Sequence, residues 1–191
     1  MNPIKRKITA LLLFFLFAFF LIGFSYEVSS HKDKNEHQWF YFNKTESLPL
    51  GIYVRIPDFI LSLQGREPTA IKKGDYVVFE PNEETKKLVV ERKYAPAAEL
   101  FLKKVGGRYG DSWTIDKDYN FYLNDEYYGN VFLKDKFGNN MPIKIGSFQI
   151  NKDEFLPVGE AERSFDGRYT GVVKVSNIKA IAYPLFTGVH W

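Results

Sequence analysis

The sequence predicts a mainly β protein, built from short antiparallel strands that follow a single apolar segment, and three observations predict it. Beyond residue 39 the chain is rich in β-branched and aromatic residues gathered into short runs, and aromatic residues make up 17% of the whole. The turn sequences Lys73-Gly74-Asp75, Asn124-Asp125, Phe137-Gly138-Asn139-Asn140 and Asp166-Gly167 punctuate those runs. The long uncharged apolar stretch stands alone near the N-terminus, directly after basic residues.

That stretch follows Lys5-Arg6-Lys7 and runs from Ile8 to Phe24, 17 residues that become 19 with Ser25 and Tyr26. At about 1.5 Å per residue it approaches the lower limit for crossing a bilayer core of about 30 Å. It is longer than the apolar region of a cleaved leader, and Gly23-Phe24-Ser25-Tyr26-Glu27 offers no small-x-small cleavage site. The expectation is an uncleaved anchor over residues 1–26, with a cytoplasmic N-terminus and everything from about Glu27 outside. Residues 27–38 read as a polar stalk. Trp39-Phe40-Tyr41-Phe42 then either lies at the membrane interface or opens the folded domain, expected over residues 39–191.

Within that domain the predicted strands are Gly51–Ile56, Asp75–Phe79, Lys87–Arg92, Ala98–Val105, Ser112–Ile115, Phe121–Leu123, Tyr127–Phe132, Phe148–Ile150 and Gly171–Ala182. One or two short helices complete the expectation. Phe59-Ile60-Leu61-Ser62-Leu63, between Pro57 and Gly65, is either a helical turn packed on the core or a loop whose apolar face meets lipid or substrate.

Composition narrows the chemistry. The 26 basic and 23 acidic residues leave a net charge of +3 with no basic cluster beyond the N-terminus, so nucleic acid is not an expected partner. The absence of cysteine removes thiol nucleophiles, thiolate metal sites and disulfides. His31, His37 and His190 lie in the stalk and at the C-terminus, in no triad or zinc spacing, so neither a metal nor a cofactor is expected.

What remains is a serine and a lysine. Ser47 lies in Thr45-Glu46-Ser47-Leu48-Pro49-Leu50-Gly51-Ile52-Tyr53, where proline and glycine rigidify a turn and the Thr45 hydroxyl can join the Ser47 amide as an oxyanion donor. Glu46 is adjacent, and neighbouring residues of an extended chain point apart, which makes it a poor base. Lys103 and Lys104 lie among Leu100, Phe101, Leu102 and Val105. A lysine that serves as base near neutrality needs its pKa moved from about 10.4 toward 7, on the order of 4–5 kcal/mol, and burial among apolar groups supplies that. Alternation places only one of the pair on the core side, and the residues do not say which; lysines guarding an edge strand are the plainer alternative. A third cluster, Ser164-Phe165-Asp166-Gly167-Arg168-Tyr169-Thr170-Gly171, lets Asp166 and Arg168 brace a turn while Ser164 reaches a neighbouring strand.

Taken together these segments resemble the type I signal peptidases, most closely the TraF-like conjugative-transfer branch. Thr45 to Tyr53 matches its T-x-S-x-P-x-G-x-Y pattern, and Phe101 to Asp111 is similar to its box with a base lysine, a second basic residue and a closing Gly-Asp. Ser164 to Gly171 resembles its S-x-D-S-R-Y-x-G box, Gly74-Asp75 its strand entry, and Val175 to Leu185 its closing segment. Three departures stand out: Gly167 replaces a serine, Gly159-Glu160-Ala161 replaces Gly-Asp-Asn, and Tyr109 replaces a proline.

The resemblance implies a signal-peptidase β fold with an inserted β lobe around residues 112–155, after one transmembrane helix in the bacterial inner membrane. It implies a serine endopeptidase with Ser47 as nucleophile, Lys103 as general base, Thr45 and the Ser47 amide as oxyanion hole, and Ser164, Asp166 and Arg168 in support. The implied partners are an exported precursor, carrying a signal peptide or being a pilin, the lipid bilayer, and other transfer-system membrane proteins. Resolution of the acyl-enzyme by the substrate's own amine, which cyclises a pilin, is one alternative outcome. A non-catalytic assembly factor that kept the fold is the alternative from another class.

Overall fold

The computed structural model describes residues 9, 12–15, 17–18, 38–67, 70–94 and 100–188. Most of the Ile8–Phe24 run, the stalk to residue 37 and all three histidines lie outside them. Among the described residues no helix is long and apolar enough to cross a membrane.

The described residues form a seven-stranded and a four-stranded sheet, both antiparallel throughout. The strands are β1 Phe40–Asn43, β2 Gly51–Arg55, β3 Tyr76–Phe79, β4 Phe101–Arg108, β5 Ser112–Ile115, β6 Asn120–Leu123, β7 Glu126–Asn130, β8 Gly146–Gln149, β9 Glu154–Val158, β10 Val173–Lys174 and β11 Ile178–Thr187. The large sheet runs β1-β2-β11-β3-β4-β9-β10 and the small one β7-β6-β5-β8. The chain leaves the large sheet after β4, builds the small sheet, and returns as β9 beside the strand it left. Positive φ at both Asn124 and Asp125 makes the β6–β7 connection a primed hairpin turn, which matches strand twist.

Several elements differ from the sequence reading. Lys87–Arg92 is not a strand: residues Glu83–Glu91 form helix α2, capped by the Asn82 side chain, which accepts from Thr85 N–H at 2.8 Å. Glu83 and Glu84 favour that N-terminus, and the buried Thr85 and Val89 stand four apart, the helical period beneath an apparently apolar run. Strands β1 and β9 were not expected. The latter contains Pro157, which ordinarily argues against an interior strand, and the ladder accommodates it opposite Val105, next to a register shift before Gly107. Gly171–Ala182 is interrupted by a 3-10 turn, Val175–Asn177, between β10 and β11. Phe59–Leu63 belongs to helix α1, Asp58–Leu63, which buries Leu61 and exposes Leu63. A further short helix, α3, covers Gly167–Thr170.

Apolar burial organises both sheets. Leu61, Ile71, Val77, Phe79, Val105, Phe155, Val173 and Ile181 form one cluster, and Tyr41, Leu48, Tyr53, Val78, Ala180 and Ala182 a second beneath the Ser47 turn. The small sheet contributes Trp113, Ile115, Phe121 and Leu123 to a third, which continues into Leu156 and Val158 of β9 and Tyr169 of α3. The two sheets therefore share a core at the strand that leads to residues 159–164.

Phe40–Asn43 forms an edge strand of the large sheet: Tyr41 and Asn43 point inward, while Phe40 and Phe42 are exposed. Phe40 and Tyr183 both pair with Val54, and Phe42 and Phe186 with Ile52, so these four exposed rings share one face of the β1-β2-β11 unit.

Candidate active site

Ser47 sits in the turn between β1 and β2, and an unanticipated residue shapes that turn. Asn43 is buried at the end of β1, and its amide donates to the carbonyls of Thr45 and Leu48, both at 2.9 Å, and of Pro49 at 3.2 Å. Its Oδ1 accepts from Thr45 N–H at 3.3 Å and the Thr45 hydroxyl at 3.0 Å. Tyr53, fully buried in β2, donates to Pro49 O at 2.9 Å. Asparagine at a strand end before a Ser/Pro turn is the sequence signal that marks such a residue, because its side chain substitutes for backbone partners. Thr45 Oγ1 and Ser47 Oγ are 3.0 Å apart; with the Thr45 proton directed to Asn43, Ser47 is the donor between them.

The paired lysines of β4 meet opposite fates. Lys103, opposite Val77, is 6% exposed, and its Nζ donates to Ser164 Oγ at 3.1 Å. Burial pushes its amine down to about 8; Asp166 pulls it back upward and Arg168 adds a smaller push down. Lys104, opposite Tyr76, is half-buried: its Nζ pairs with Glu160 at 3.0 Å and lies 5.4 Å from the centre of the Tyr76 ring. The structure thus singles out Lys103 as the lysine with an amine of lowered basicity.

Behind Ser164 lies a buried ion pair. Asp166 caps α3 by accepting from Arg168 N–H at 3.1 Å, and the Arg168 fork binds both its oxygens at 2.9 Å. The remaining guanidinium donors reach Glu162 O at 2.8 Å and Ala161 O at 3.0 Å, while Asp166 Oδ2 accepts from Gly159 N–H at 2.7 Å. The pair therefore holds the whole 159–162 segment. That segment in turn holds the serine turn: Glu160 N–H donates to Ser47 O at 2.7 Å and Ala161 N–H at 3.4 Å. The Glu160 side chain is tied by Lys104 and by the Tyr76 hydroxyl at 3.1 Å.

Two glycines explain how these pieces come so near. A Cβ on Gly159 would stand 2.0 Å from Ser164 Oγ and 2.8 Å from Ser47 O, so only glycine lets the lysine's partner and the serine turn meet there. A Cβ on Gly167 would stand 2.6 Å from Pro157 O, which accounts for a glycine where the related box carries serine. Tyr109, the third departure, is an exposed residue just after β4.

Thr45, Ser47, Lys103 and Ser164 all line one open cavity of about 760 Å³, while Asp166 and Arg168 lie behind it. Chemically the cavity combines a hydroxyl, a buried amine able to shed its proton near neutrality, and an ordered loop on the backbone of the hydroxyl residue. It suits attack on a carbonyl group.

A sequence model of the family described as "Signal peptidase, peptidase S26" matches residues 2–186. Among solved structures, a signal peptidase I from Enterococcus faecalis V583 is 15% identical, with 58% of this chain and 95% of that chain covered and a TM-score of 0.34. No curated protein matches the chain.

Proposed function

Because the chain belongs to the S26 family of signal peptidases, whose members act as serine endopeptidases on exported precursors, we propose that Ser47 and Lys103 form its catalytic dyad. Neutral Lys103 Nζ takes the hydroxyl proton as Ser47 Oγ attacks the scissile carbonyl carbon. The resulting oxyanion is met by the Ser47 amide and by the Thr45 hydroxyl, once that hydroxyl turns from Asn43. Collapse breaks the C–N bond, and the lysine proton passes to the departing amine. Water then attacks the ester carbonyl, its proton goes to Lys103, and the proton returns to Ser47 Oγ as the acid leaves. Ser164 orients the amine throughout. The observation that carries this reading is the buried Lys103 amine, held by Ser164 in the cavity that Ser47 lines.

The test is precursor cleavage by wild type, Ser47→Ala and Lys103→Ala across pH. The base must be deprotonated, so kcat/KM rises with pH through about 8 and then levels off. Both variants lose processing at unchanged protein level, whereas Lys104→Ala retains it. Processing by Ser47→Ala at the wild-type rate sinks the dyad and favours the assembly-factor reading.

The finer reading is a TraF-like enzyme acting on a pilin precursor or another transfer-system subunit, supported by the Thr45–Tyr53 pattern. Whether water or the substrate's own amine resolves the ester alters the product by one water, which mass spectrometry reads directly. We place the enzyme at the outer side of the inner membrane, anchored by residues 1–26 through the 27–38 stalk, with residues 112–155 as an inserted lobe. The exposed face of Phe40, Phe42, Tyr183 and Phe186 supports that placement, because rings in such number are costly in water and favourable at a bilayer surface.

A further inference from the structure

The cavity that holds Ser47 and Lys103 extends to a second wall made by the segment around residue 134 and by Arg163. That wall carries three exposed cations, Lys134, Lys136 and Arg163. In the sequence Lys134-Asp135-Lys136 reads as locally neutralised, but the fold takes the carboxylate away. Asp135 Oδ1 accepts from the N–H groups of Phe137 at 2.8 Å and Asn139 at 2.9 Å, and Oδ2 accepts from the Tyr94 hydroxyl at 2.6 Å and the Asn139 amide at 2.8 Å. Its cationic neighbour is Arg92, at 3.9 Å, and neither flanking lysine. Arg163 lies over the Phe132 ring, 3.9 Å from its centre, and Lys136 over Phe137. Among the described residues none of the three cations has a carboxylate within 4.0 Å. Among the described residues the carboxylates on the cavity wall are Glu46 and the committed Asp135, against the cations Lys44, Lys103, Lys134, Lys136 and Arg163, so cationic groups predominate on it.

This wall is close to the chemistry. Arg163 directly precedes Ser164, placing their Cα atoms about 3.8 Å apart, and Ser164 holds Lys103. A substrate threaded past Ser47 in extended form, about 3.3 Å per residue, meets these cations within a few residues of the scissile bond. We propose that Lys134, Lys136 and Arg163 select precursors with an Asp or Glu side chain at such a position. The inference rests on the proteolytic reading above and names a substrate class for it. A precursor fits better than anionic lipid because the cations line the concavity shared with Ser47, which the exposed aromatic face reaches only through Phe42.

The experiment uses the full chain and fluorogenic peptides that share a small residue at the scissile bond and differ only in Glu, Gln or Lys at successive positions on either side. At one position or more, wild-type kcat/KM for Glu exceeds that for Gln by about three- to tenfold, as expected for two or three rim charge pairs. The preference collapses at about 1 M salt, where screening shortens to about 3 Å. Lys134→Glu/Lys136→Glu loses it and turns toward the Lys peptide, with unchanged thermal unfolding because both sites are exposed. Equal kcat/KM for Glu, Gln and Lys at every position overturns the inference and leaves the protease reading intact. Cleavage of no peptide overturns both. If the double variant instead loses binding to anionic vesicles with peptide selectivity unaltered, the cations serve headgroups and the inference is again overturned.

Discussion

Lys103 brings a titratable amine into a site where only one protonation state is comfortable. Its folded value, about 8, lies below its ordinary 10.5, so the charged form is penalised in the fold. The contribution of Lys103 to stability is therefore greatest above about pH 10.5, is lost as pH falls from there to about 8, and is lower by about 3 kcal/mol once both folded and unfolded chains are protonated. Lys103→Met removes that penalty and forfeits the bond to Ser164. Chemical denaturation at pH 7 should show a gain of about 1–3 kcal/mol in an inactive protein, shrinking as pH approaches 10.5; an equal gain at both ends refutes the account. The serine turn and the lysine strand are both legible as local patterns. Their partner Asn43 is legible only as a residue type suited to precede such a turn, because its worth lies in five hydrogen bonds to a loop that the fold closes around it.

Among the elements, the Asp166–Arg168 turn matters most, since it fixes the 159–162 segment that contacts both Ser47 O and Ser164. Asp166→Asn leaves the Arg168 guanidinium buried without its counter-charge, a loss of about 3 kcal/mol or more. For a domain of this size thermal unfolding should fall by roughly 6–12 °C, with kcat lowered as the loop under Ser47 loosens. A melting point unchanged to within about 1 °C contradicts that role. The element read wrongly from sequence, α2, shows where local patterns mislead. Leu88, Val89 and Val90 suggest a strand by residue type, but the Asn82 cap and the Thr85/Val89 spacing belong to a helix, and cap and spacing prevail over β propensity there.

At the scale of the whole molecule, the aromatic face of β1, β2 and β11 is a product of register, assembled from residues over a hundred positions apart, whereas the cationic cavity wall is assembled from two loop segments less than thirty positions apart. Replacing Phe40, Tyr183 and Phe186 together with serine should lower kcat/KM toward a vesicle-embedded precursor about tenfold while leaving a soluble peptide unaffected; equal effects on both substrates reject a surface role for that face. The sequence by itself determined the strand-rich architecture, the serine turn, the lysine pair and the brace at Asp166 and Arg168, because turn chemistry and alternation act over a few residues. Tertiary structure alone decided which lysine loses basicity, since the folded sheet buries Lys103 and leaves Lys104 half-exposed, and the amine's partner Ser164 comes from the far side of the small-sheet excursion. It likewise decided that Asp135 turns from its flanking lysines toward Tyr94, because burial and charge neutralisation depend on which distant segments the fold brings together.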